Sequence, residues 1–375
     1  MGTLDRCHSI ADLRRVALRR LPWPMREFLE GGSDDEWTLA NNRAAFNRYS
    51  LVPRSLCDVT AIDTSVHVLG QRLAWPVMLA PTGMTRMYHG GGEVAVARAA
   101  ANTDTVYALS TYSSQSIEQV REVNSGPRIF QLFSNPGWEI ALGLVERAAA
   151  ADYSALCYTV DTTAAPNKER DYRTGVAGSR AVPRSLLSIL RRPRWVAGLA
   201  RGGPMTLANL GIKPTEVEKY QWREATRMSW DKLAQLRARW RGPLLVKGIL
   251  SVEDARRAVD EGVDGIVISN HGGRQMDCVP APIDLVEEFA AALQGRADII
   301  VDSGFRRGSD VLKALALGAS AVMVGRAYLY GLAAGGEAGV VRAITLLREE
   351  IVRDMRLMGL NRLSDIDAGF VRREV

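Results

Sequence analysis

The stretch Asp264-Gly265-Ile266-Val267-Ile268-Ser269-Asn270-His271-Gly272-Gly273-Arg274-Gln275 joins a short apolar run to a glycine-rich turn that carries a histidine and an arginine. The apolar run is typical of a buried strand. In barrels of alternating strands and helices, active sites are built at the carboxyl ends of the strands. An imidazole there can accept a proton near neutral pH, and a guanidinium can bind a carboxylate through two hydrogen bonds. The stretch therefore predicts a site at the end of a parallel strand.

Seven further apolar runs of strand type accompany this one, with helical patterns between most of them. The eight runs lie at residues 76–80, 105–109, 128–133, 155–160, 244–246, 265–268, 298–301 and 321–324. No G-x-G-x-x-G motif follows the first run, which weakens the alternative of a doubly wound nucleotide-binding sheet. The alternation predicts an α/β protein with a (β/α)8 TIM barrel.

The regions outside the alternation are also predicted to belong to one domain that spans residues 1–375. Residues 1–70 are expected to form a helical segment packed on the barrel, with Ser33-Asp34-Asp35-Glu36 as a capping box. Residues 162–229 form a long insertion after the fourth strand, rich in Arg, Pro and Gly. An insertion there lies over the active-site face, so it is either a lid or a membrane or subunit contact.

The amino-acid composition limits the classes of function that this chain can have. The net charge is +6, which suits anionic cofactors, anionic substrates or a lipid surface, and no nucleic-acid recognition motif accompanies it. The four cysteines lie far apart, so we expect neither a metal site nor a disulfide framework, and a reducing cytoplasm fits them. No apolar run reaches the roughly 18 residues that a spanning helix needs.

Polar residues and glycines recur where the predicted strands end. Loops after the seventh and eighth strands often bind phosphate in these barrels, and both loops here contain glycine and arginine. A basic turn of this kind could also be merely solvated, and each strand-end polar group could be a satisfied core residue. Their shared position at one face favours a cofactor site formed by Pro81, Thr82, Gly83, Ser110, Gln131, Thr159, Lys247, Ser269, Asp302, Ser303, Gly304, Arg306, Gly325 and Arg326.

The chain resembles the FMN-dependent α-hydroxy-acid dehydrogenases and oxidases over nearly its whole length. The resemblance is carried by the heptapeptide Ser269–Gln275 and by Ala80-Pro81-Thr82-Gly83, Phe130-Gln131-Leu132, Thr159-Val160-Asp161, Leu245-Val246-Lys247-Gly248 and Arg306-Arg307-Gly308-Ser309-Asp310. It implies FMN as the cofactor, bound by the residues of the cofactor site. It also implies that His271 is the catalytic base, that Asp161 orients and stabilises its imidazolium, and that Arg274 binds the substrate carboxylate.

Three expected substrate-binding residues depart from the family pattern. The family usually has tyrosine where this chain has Phe28 and Phe133, and arginine where it has Lys168. The aromatic residue that often follows the second strand is Tyr112. Losing such polar contacts in a dry site typically costs about 1–3 kcal/mol each. We therefore expect an unusual α-hydroxy acid, or a specialised alcohol or amine, as the substrate rather than lactate or glycolate.

The predicted reaction is His-assisted hydride transfer from a C–OH or C–NH group to the flavin, with oxygen, a quinone or a carrier protein as electron acceptor. A carbanion route, in which His271 takes the C–H proton, is an alternative that the sequence does not separate from hydride transfer. The resemblance implies a homotetramer. The cysteines fit a cytoplasmic location, and the basic insertion allows peripheral membrane contact. Two alternatives remain at this point. One is an FMN-binding isomerase or another non-redox barrel, and the other is a basic membrane-associated scaffold.

Overall fold

The computed structural model describes residues 2–134, 136–176, 182–216 and 227–374. Its centre is a closed barrel of eight parallel strands, which confirms the predicted (β/α)8 fold and all eight predicted strands. The strands are β1 (Val77–Leu79), β2 (Tyr107–Ser110), β3 (Arg128–Leu132), β4 (Ala155–Thr159), β5 (Leu244–Ile249), β6 (Gly265–Ile268), β7 (Asp298–Val301) and β8 (Ala321–Val324).

Helices surround the barrel and extend it at both chain ends. In chain order they are α1 (Ile10–Arg20), α2 (Trp23–Glu30), α3 (Trp37–Ala44), α4 (Gly92–Ala101), α5 (Ile117–Val123), α6 (Trp138–Ala150), α7 (Glu169–Thr174), α8 (Pro183–Leu190), α9 (Pro193–Arg201), α10 (Trp230–Arg239), α11 (Val252–Asp260), α12 (Val286–Leu293), α13 (Gly308–Ala316) and α14 (Arg326–Met358). None of these described helices is both long and apolar enough to cross a bilayer.

Two apolar layers hold the barrel together. The larger one lies between strands and helices, because the strands are buried on both faces. The smaller one fills the barrel interior with side chains such as Met78, Val267 and Met323. A hairpin of Val66–Val68 and Gln71–Leu73 covers the amino-terminal end of the barrel, where Leu69 N donates to Asp298 Oδ2 at 2.6 Å. The opposite, carboxyl end is left for the site.

The N-terminal segment differs from the prediction of a helical region over residues 1–70. Its helices end with a short 3-10 turn at Ala45–Arg48, and a strand at Tyr49–Leu51 then pairs antiparallel with Val371–Arg373. The hairpin that covers the barrel follows. The predicted helical region was too long because the strand has only three residues, and its partner strand lies at the other end of the chain.

The predicted capping box at the start of α3 is also wrong. The helix begins at Trp37, its N-cap residue Glu36 has a left-handed φ of 62°, and the buried Ser33 hydroxyl has no partner among the described residues. Asp277, from the loop after β6, instead accepts hydrogen bonds from Trp37 N at 3.2 Å and Thr38 N at 2.7 Å. A tertiary contact has replaced the local cap, and such contacts leave no local pattern in the sequence.

Helices α8 and α9, within the insertion, lie against the barrel through a few polar contacts. Ser185 Oγ donates to Thr174 O at 2.7 Å, and Trp195 Nε1 donates to Met87 O at 3.0 Å. The Arg86 guanidinium donates to Leu199 O and Gly203 O, which fixes the end of α9. These contacts use the inner face of the two helices and leave the apolar side chains of the outer face exposed.

We predict that Asp277→Ala lowers the free energy of unfolding by about 1–2 kcal/mol, because two backbone N–H groups of α3 lose their acceptor. Chemical denaturation followed by circular dichroism measures this change. Asp35→Ala is the matched control, since Asp35 is exposed and should change stability little. Equal stability of the two variants would show that Asp277 does not cap α3.

Candidate active site

A cavity of about 650 Å³ opens at the carboxyl end of the barrel. Most of the residues predicted from the sequence meet there, because the loops after parallel strands all emerge at this end. Those that line it are Phe28, Pro81, Thr82, Gly83, Ser110, Tyr112, Phe133, Lys168, Lys247, His271, Arg274, Asp302, Ser303, Gly304, Arg306, Gly325 and Arg326.

Four predicted residues lie behind this lining and support it. Gln131 accepts from Ser110 Oγ at 3.0 Å and donates through Nε2 to Thr159 Oγ1 at 2.8 Å. Ser269 Oγ accepts from Lys247 Nζ at 2.6 Å. Asp161 lies beside His271. These four side chains therefore orient groups that reach the cavity.

The loop that carries His271 has an unusual backbone. His271, Gly272 and Gly273 have φ values of 58°, 68° and 74°, so all three are in the left-handed region. For a histidine this conformation is strained, and it persists only when its surroundings enforce it. Ser269 Oγ accepts from His271 N at 3.0 Å, and Ser303 Oγ accepts from Gly272 N at 3.0 Å. A Cβ on Gly273 would lie 2.7 Å from the Leu39 backbone, so only glycine fits there.

His271 is paired with Asp161. His271 Nδ1 lies 3.1 Å from both carboxylate oxygens of Asp161, which leaves Nε2 as the nitrogen available to a ligand. Burial of Asp161 opposes its ionisation, but the neighbouring His271 and Lys247 outweigh that effect and lower its pKa. A carboxylate held ionised in this way fixes the imidazole tautomer and stabilises the imidazolium form.

Lys247 is a buried cation between two acids. Its Nζ lies 2.9 Å from Asp302 Oδ2 and donates to Ser269 Oγ. Burial works against its charge, yet Asp302 and Asp161 prevail and raise its pKa. The side chain therefore keeps a positive charge at the cavity wall, where it can stabilise negative charge on a bound group.

Arg274 connects the His271 loop to the N-terminal segment. Its Nη1 donates to Phe28 O at 2.9 Å and to Gly31 O at 2.7 Å, and its guanidinium lies 4.9 Å from the centre of the Phe28 ring. Its Nη2 lies 4.0 Å from Asp171, beyond hydrogen-bond distance. The guanidinium thus holds backbone with one nitrogen and has others left for a ligand.

Arg326 makes a second connection of the same kind. Nε donates to Leu29 O at 2.9 Å, Nη1 to Gly272 O at 2.8 Å and Nη2 to Gly31 O at 2.8 Å. Burial, together with the nearby Arg274, lowers the pKa of Arg326 to about 10. Three of its five N–H groups are therefore used by the protein, and two can still reach a bound anion.

Arg306 differs from Arg326 in having few internal partners. Its guanidinium makes one hydrogen bond among the described residues, from Nη1 to Phe305 O at 2.7 Å. The neighbouring Arg307 is used structurally, because it pairs with the buried Glu350 at 2.6 Å. Of the two adjacent arginines, Arg306 is the one that offers its charge to the cavity.

An aromatic wall lies on the other side of His271. The Phe133 ring is 6.2 Å from the imidazole and nearly parallel to it, and the Tyr112 ring is 5.2 Å from Phe133. Leu207, from the insertion, packs on these two rings, with Leu210 and Ile212 beside it. The insertion therefore supports the aromatic wall with apolar side chains, and it lines the cavity itself through Met205 and Pro214.

Lys168 faces the cavity near Arg274 and Asp171. Its Nζ has neither a hydrogen bond nor an ion pair within the described part of the chain. Burial lowers the pKa of Lys168 to about 7, and the charge of Arg274 acts in the same direction while Asp171 opposes it. Burial also raises the pKa of Asp171. The lysine is thus poised between its neutral and charged forms at neutral pH.

Several cavity residues were not identified from the sequence. They include Tyr88, which lies just after the short 3-10 turn that follows β1, and Thr162, Asp171, Tyr172, Val176 and Met205 around the insertion. Asp171 could have been noticed, since an acid near Lys168 and Arg170 is an obvious pairing candidate. Tyr88 could not, because a single tyrosine in a loop carries no pattern.

Comparisons with known proteins agree with this geometry. The model of the FMN-dependent dehydrogenase family matches residues 17–373. The chain is 41% identical to a putative L-lactate dehydrogenase of Mycobacterium tuberculosis over 96% of its length and 87% of that protein. It is 38% identical to the glycolate oxidase of Spinacia oleracea, covering 97% and 95% of the two chains. A solved structure of (S)-mandelate dehydrogenase, described as a monotopic membrane protein, superposes with a TM-score of 0.94 at 36% identity, covering 98% of this chain and all of that one.

Proposed function

Since the chain belongs to the FMN-dependent dehydrogenase family and is an FMN-dependent oxidoreductase of α-hydroxy acids, we propose that its own substrate is a hydroxy acid with a bulky apolar side chain. The observation that carries the proposal is the aromatic wall of Tyr112 and Phe133 beside His271. A wall of this composition binds an aryl or branched side chain better than a hydrogen atom or a methyl group.

The cavity residues fit FMN. A cavity of this size suits a cofactor and a small substrate together. A Cβ on Gly325 would meet nothing closer than Thr82 Cγ2 at 3.8 Å, so backbone there is open to a ligand. Gly304, Arg306, Gly325 and the remaining N–H groups of Arg326 would hold the phosphate. Lys247, with Ser110, Gln131 and Thr159 at the other strand ends, would hold the ring system.

His271 acts as the base in the proposed reaction. FMN, when bound, would supply the acceptor for a hydride that leaves the substrate carbon. His271 Nε2 takes the proton of the substrate hydroxyl, and Asp161 stabilises the resulting imidazolium through Nδ1. Lys247 supplies positive charge on the cofactor side, and the free N–H groups of Arg274 bind the substrate carboxylate. Leu207 and its neighbours exclude water from the aromatic side of the cavity.

The three departures from the family pattern support the choice of substrate. Phe28 and Phe133 have no hydroxyl for a small polar substrate, and Lys168 offers one point charge where a planar arginine fork is usual. Apolar contact with the wall therefore contributes a larger share of the binding free energy. Lactate and glycolate offer little apolar surface, so they would be poor substrates of this cavity.

We also propose that an anionic membrane surface is a partner. The outer face of α8 and α9 exposes Leu186, Leu187, Leu190 and Val196, and Leu190 is 76% exposed. Exposed arginines flank this apolar strip, at Arg184, Arg191, Arg194 and Arg201. Apolar side chains that enter the lipid interface, with basic side chains at the level of the phosphates, are the pattern of interfacial helices.

We predict that purified holoprotein mixed anaerobically with mandelate loses its oxidised flavin absorbance rapidly, while lactate and glycolate act slowly.

His271→Ala should keep FMN but reduce the rate about 10²–10⁴-fold, because the base is lost. Asp161→Asn should cause a smaller loss, and His67→Ala, at an exposed site in the hairpin, should cause none. Fast reduction by lactate, or near-normal reduction of the His271 variant, would contradict the proposal.

The lowered pKa of Lys168 predicts that carboxylate binding depends on pH. Free Lys168 is neutral above about pH 7, and a bound carboxylate favours its charged form, so binding takes up a proton. The Kd of benzoate, an unreactive carboxylate, should rise above pH 7 by up to about tenfold per pH unit and level off below it. Perturbation of the flavin spectrum measures this Kd.

Lys168→Arg is the control for this titration, because arginine stays charged throughout the range. Its benzoate Kd should be nearly constant between pH 7 and pH 9, and any dependence that it retains belongs to other groups. A wild-type Kd that does not change with pH would contradict the role given to Lys168.

We predict that the protein co-sediments with anionic vesicles at low salt and is released at high salt, with ~1 kcal/mol from each basic residue near the surface. Leu186→Glu combined with Leu190→Glu should abolish binding and leave flavin reduction unchanged. Leu357→Glu, at a residue 69% exposed on α14, is the matched control. If the double variant co-sediments as strongly as the wild type, the outer face of α8 and α9 is not the membrane contact.

A further inference from the structure

Tyr88 is a buried residue of the cavity to which the proposed mechanism gives no role. It is 5% exposed and lines the cavity just after the turn that follows β1. Its hydroxyl makes no hydrogen bond to any residue that the structure describes. Several other buried tyrosine hydroxyls near the barrel have partners, at Tyr153, Tyr158, Tyr328 and Tyr330, whereas Tyr107, outside the cavity lining, also has none among the described residues. Because Tyr88 lines the cavity, its hydroxyl can donate to a group that is bound there.

The surroundings of Tyr88 define the chemistry of that partner. Its ring stacks on Phe28, with centroids 6.5 Å apart and planes 26° apart, and the guanidinium of Arg274 lies 4.9 Å from the centre of the same Phe28 ring. Burial raises the pKa of Tyr88, and the positive charges of Arg274 and Arg326 oppose this only in part. The hydroxyl therefore stays protonated and can act as a hydrogen-bond donor.

Lys168 is the second unpaired donor in this part of the cavity, and Arg274 is its cationic neighbour. The guanidinium and the charged form of Lys168 offer donors only, and the protonated Tyr88 hydroxyl can donate as well. An anion with several acceptor oxygens satisfies all three, and a neutral or apolar substituent satisfies none of them fully. Of the groups on an α-hydroxy acid, only the carboxylate has this character.

We propose that Tyr88 donates a hydrogen bond to the substrate carboxylate and, with Arg274 and Lys168, forms the carboxylate site. This inference rests on the proposed function. The hydroxyl that is missing at Phe28 is thereby supplied from the neighbouring ring, so the contact has moved between two stacked aromatic side chains rather than disappeared. Tyr88 is then a specificity-determining residue, since it binds the group that distinguishes a hydroxy acid from an alcohol.

The test is Tyr88→Phe, which removes the hydroxyl and keeps the ring on Phe28. We expect the KM for mandelate and the Kd for benzoate each to rise about tenfold, with kcat changed less than threefold. Tyr107→Phe is the matched control, because Tyr107 is buried, its hydroxyl has no partner among the described residues, and it lies outside the cavity lining. The control should match the wild type.

A transfer variant, Phe28→Tyr with Tyr88→Phe, places the hydroxyl back on the other ring. It should recover most of the benzoate affinity that the single variant loses, which a purely structural role of Tyr88 would not produce. Unchanged benzoate affinity in Tyr88→Phe overturns the proposal, as does a fall in kcat alone. So does a wild type that does not bind benzoate at millimolar concentration.

The two proposals fail in different ways. If no hydroxy acid reduces the wild-type flavin, the proposed function is wrong, yet the benzoate titrations still decide whether Tyr88 binds a carboxylate. If hydroxy acids reduce the wild type and the Tyr88 variant with equal KM, the function stands and the role of Tyr88 is wrong.

Discussion

The binding of two arginine side chains to the backbone of one short segment is the interaction on which the site depends. Arg274 lies in the loop after β6 and Arg326 begins α14 after β8, and both donate to Gly31 O. Buried carbonyls need donors, and buried guanidinium groups need acceptors, so each satisfies the other. The left-handed His271 loop is strained by itself, and this network, with the serine contacts to its backbone, holds the imidazole in place.

Charge in the cavity is divided into two regions. Around Lys247, two acids balance the cation, so that its charge is fixed and its position is rigid. Around Arg274, Arg306 and Lys168, positive groups outnumber acids, and several of their N–H groups have no internal partner within the described residues. The first region suits a permanently bound ring system, and the second suits anions that are bound from solution.

The barrel was predictable because its strands are buried on both faces and read as continuous apolar runs with polar residues at the same end. The convergence of most predicted site residues on one cavity was predictable for the same reason, since the carboxyl ends of the strands meet there. The cap of α3 was not, because Asp277 reaches it from a distant loop. Tyr88 was missed on similar grounds, since a loop tyrosine acquires a role only from the Phe28 ring that packs on it. The protonation state of Lys168 depends on its burial, which cannot be read from the sequence alone.

The contacts between the N-terminal segment and the His271 loop have a consequence for biosynthesis. Asn42 and Asn270 exchange two amide hydrogen bonds, at 2.9 Å and 2.7 Å, across 228 residues of chain. At about 5–20 residues per second, the ribosome delivers the partner of Asn42 roughly 10 to 50 s after Asn42 itself. During that interval the apolar faces of α1 and α2 have no complete barrel to cover, so the nascent chain exposes hydrophobic surface before any site exists.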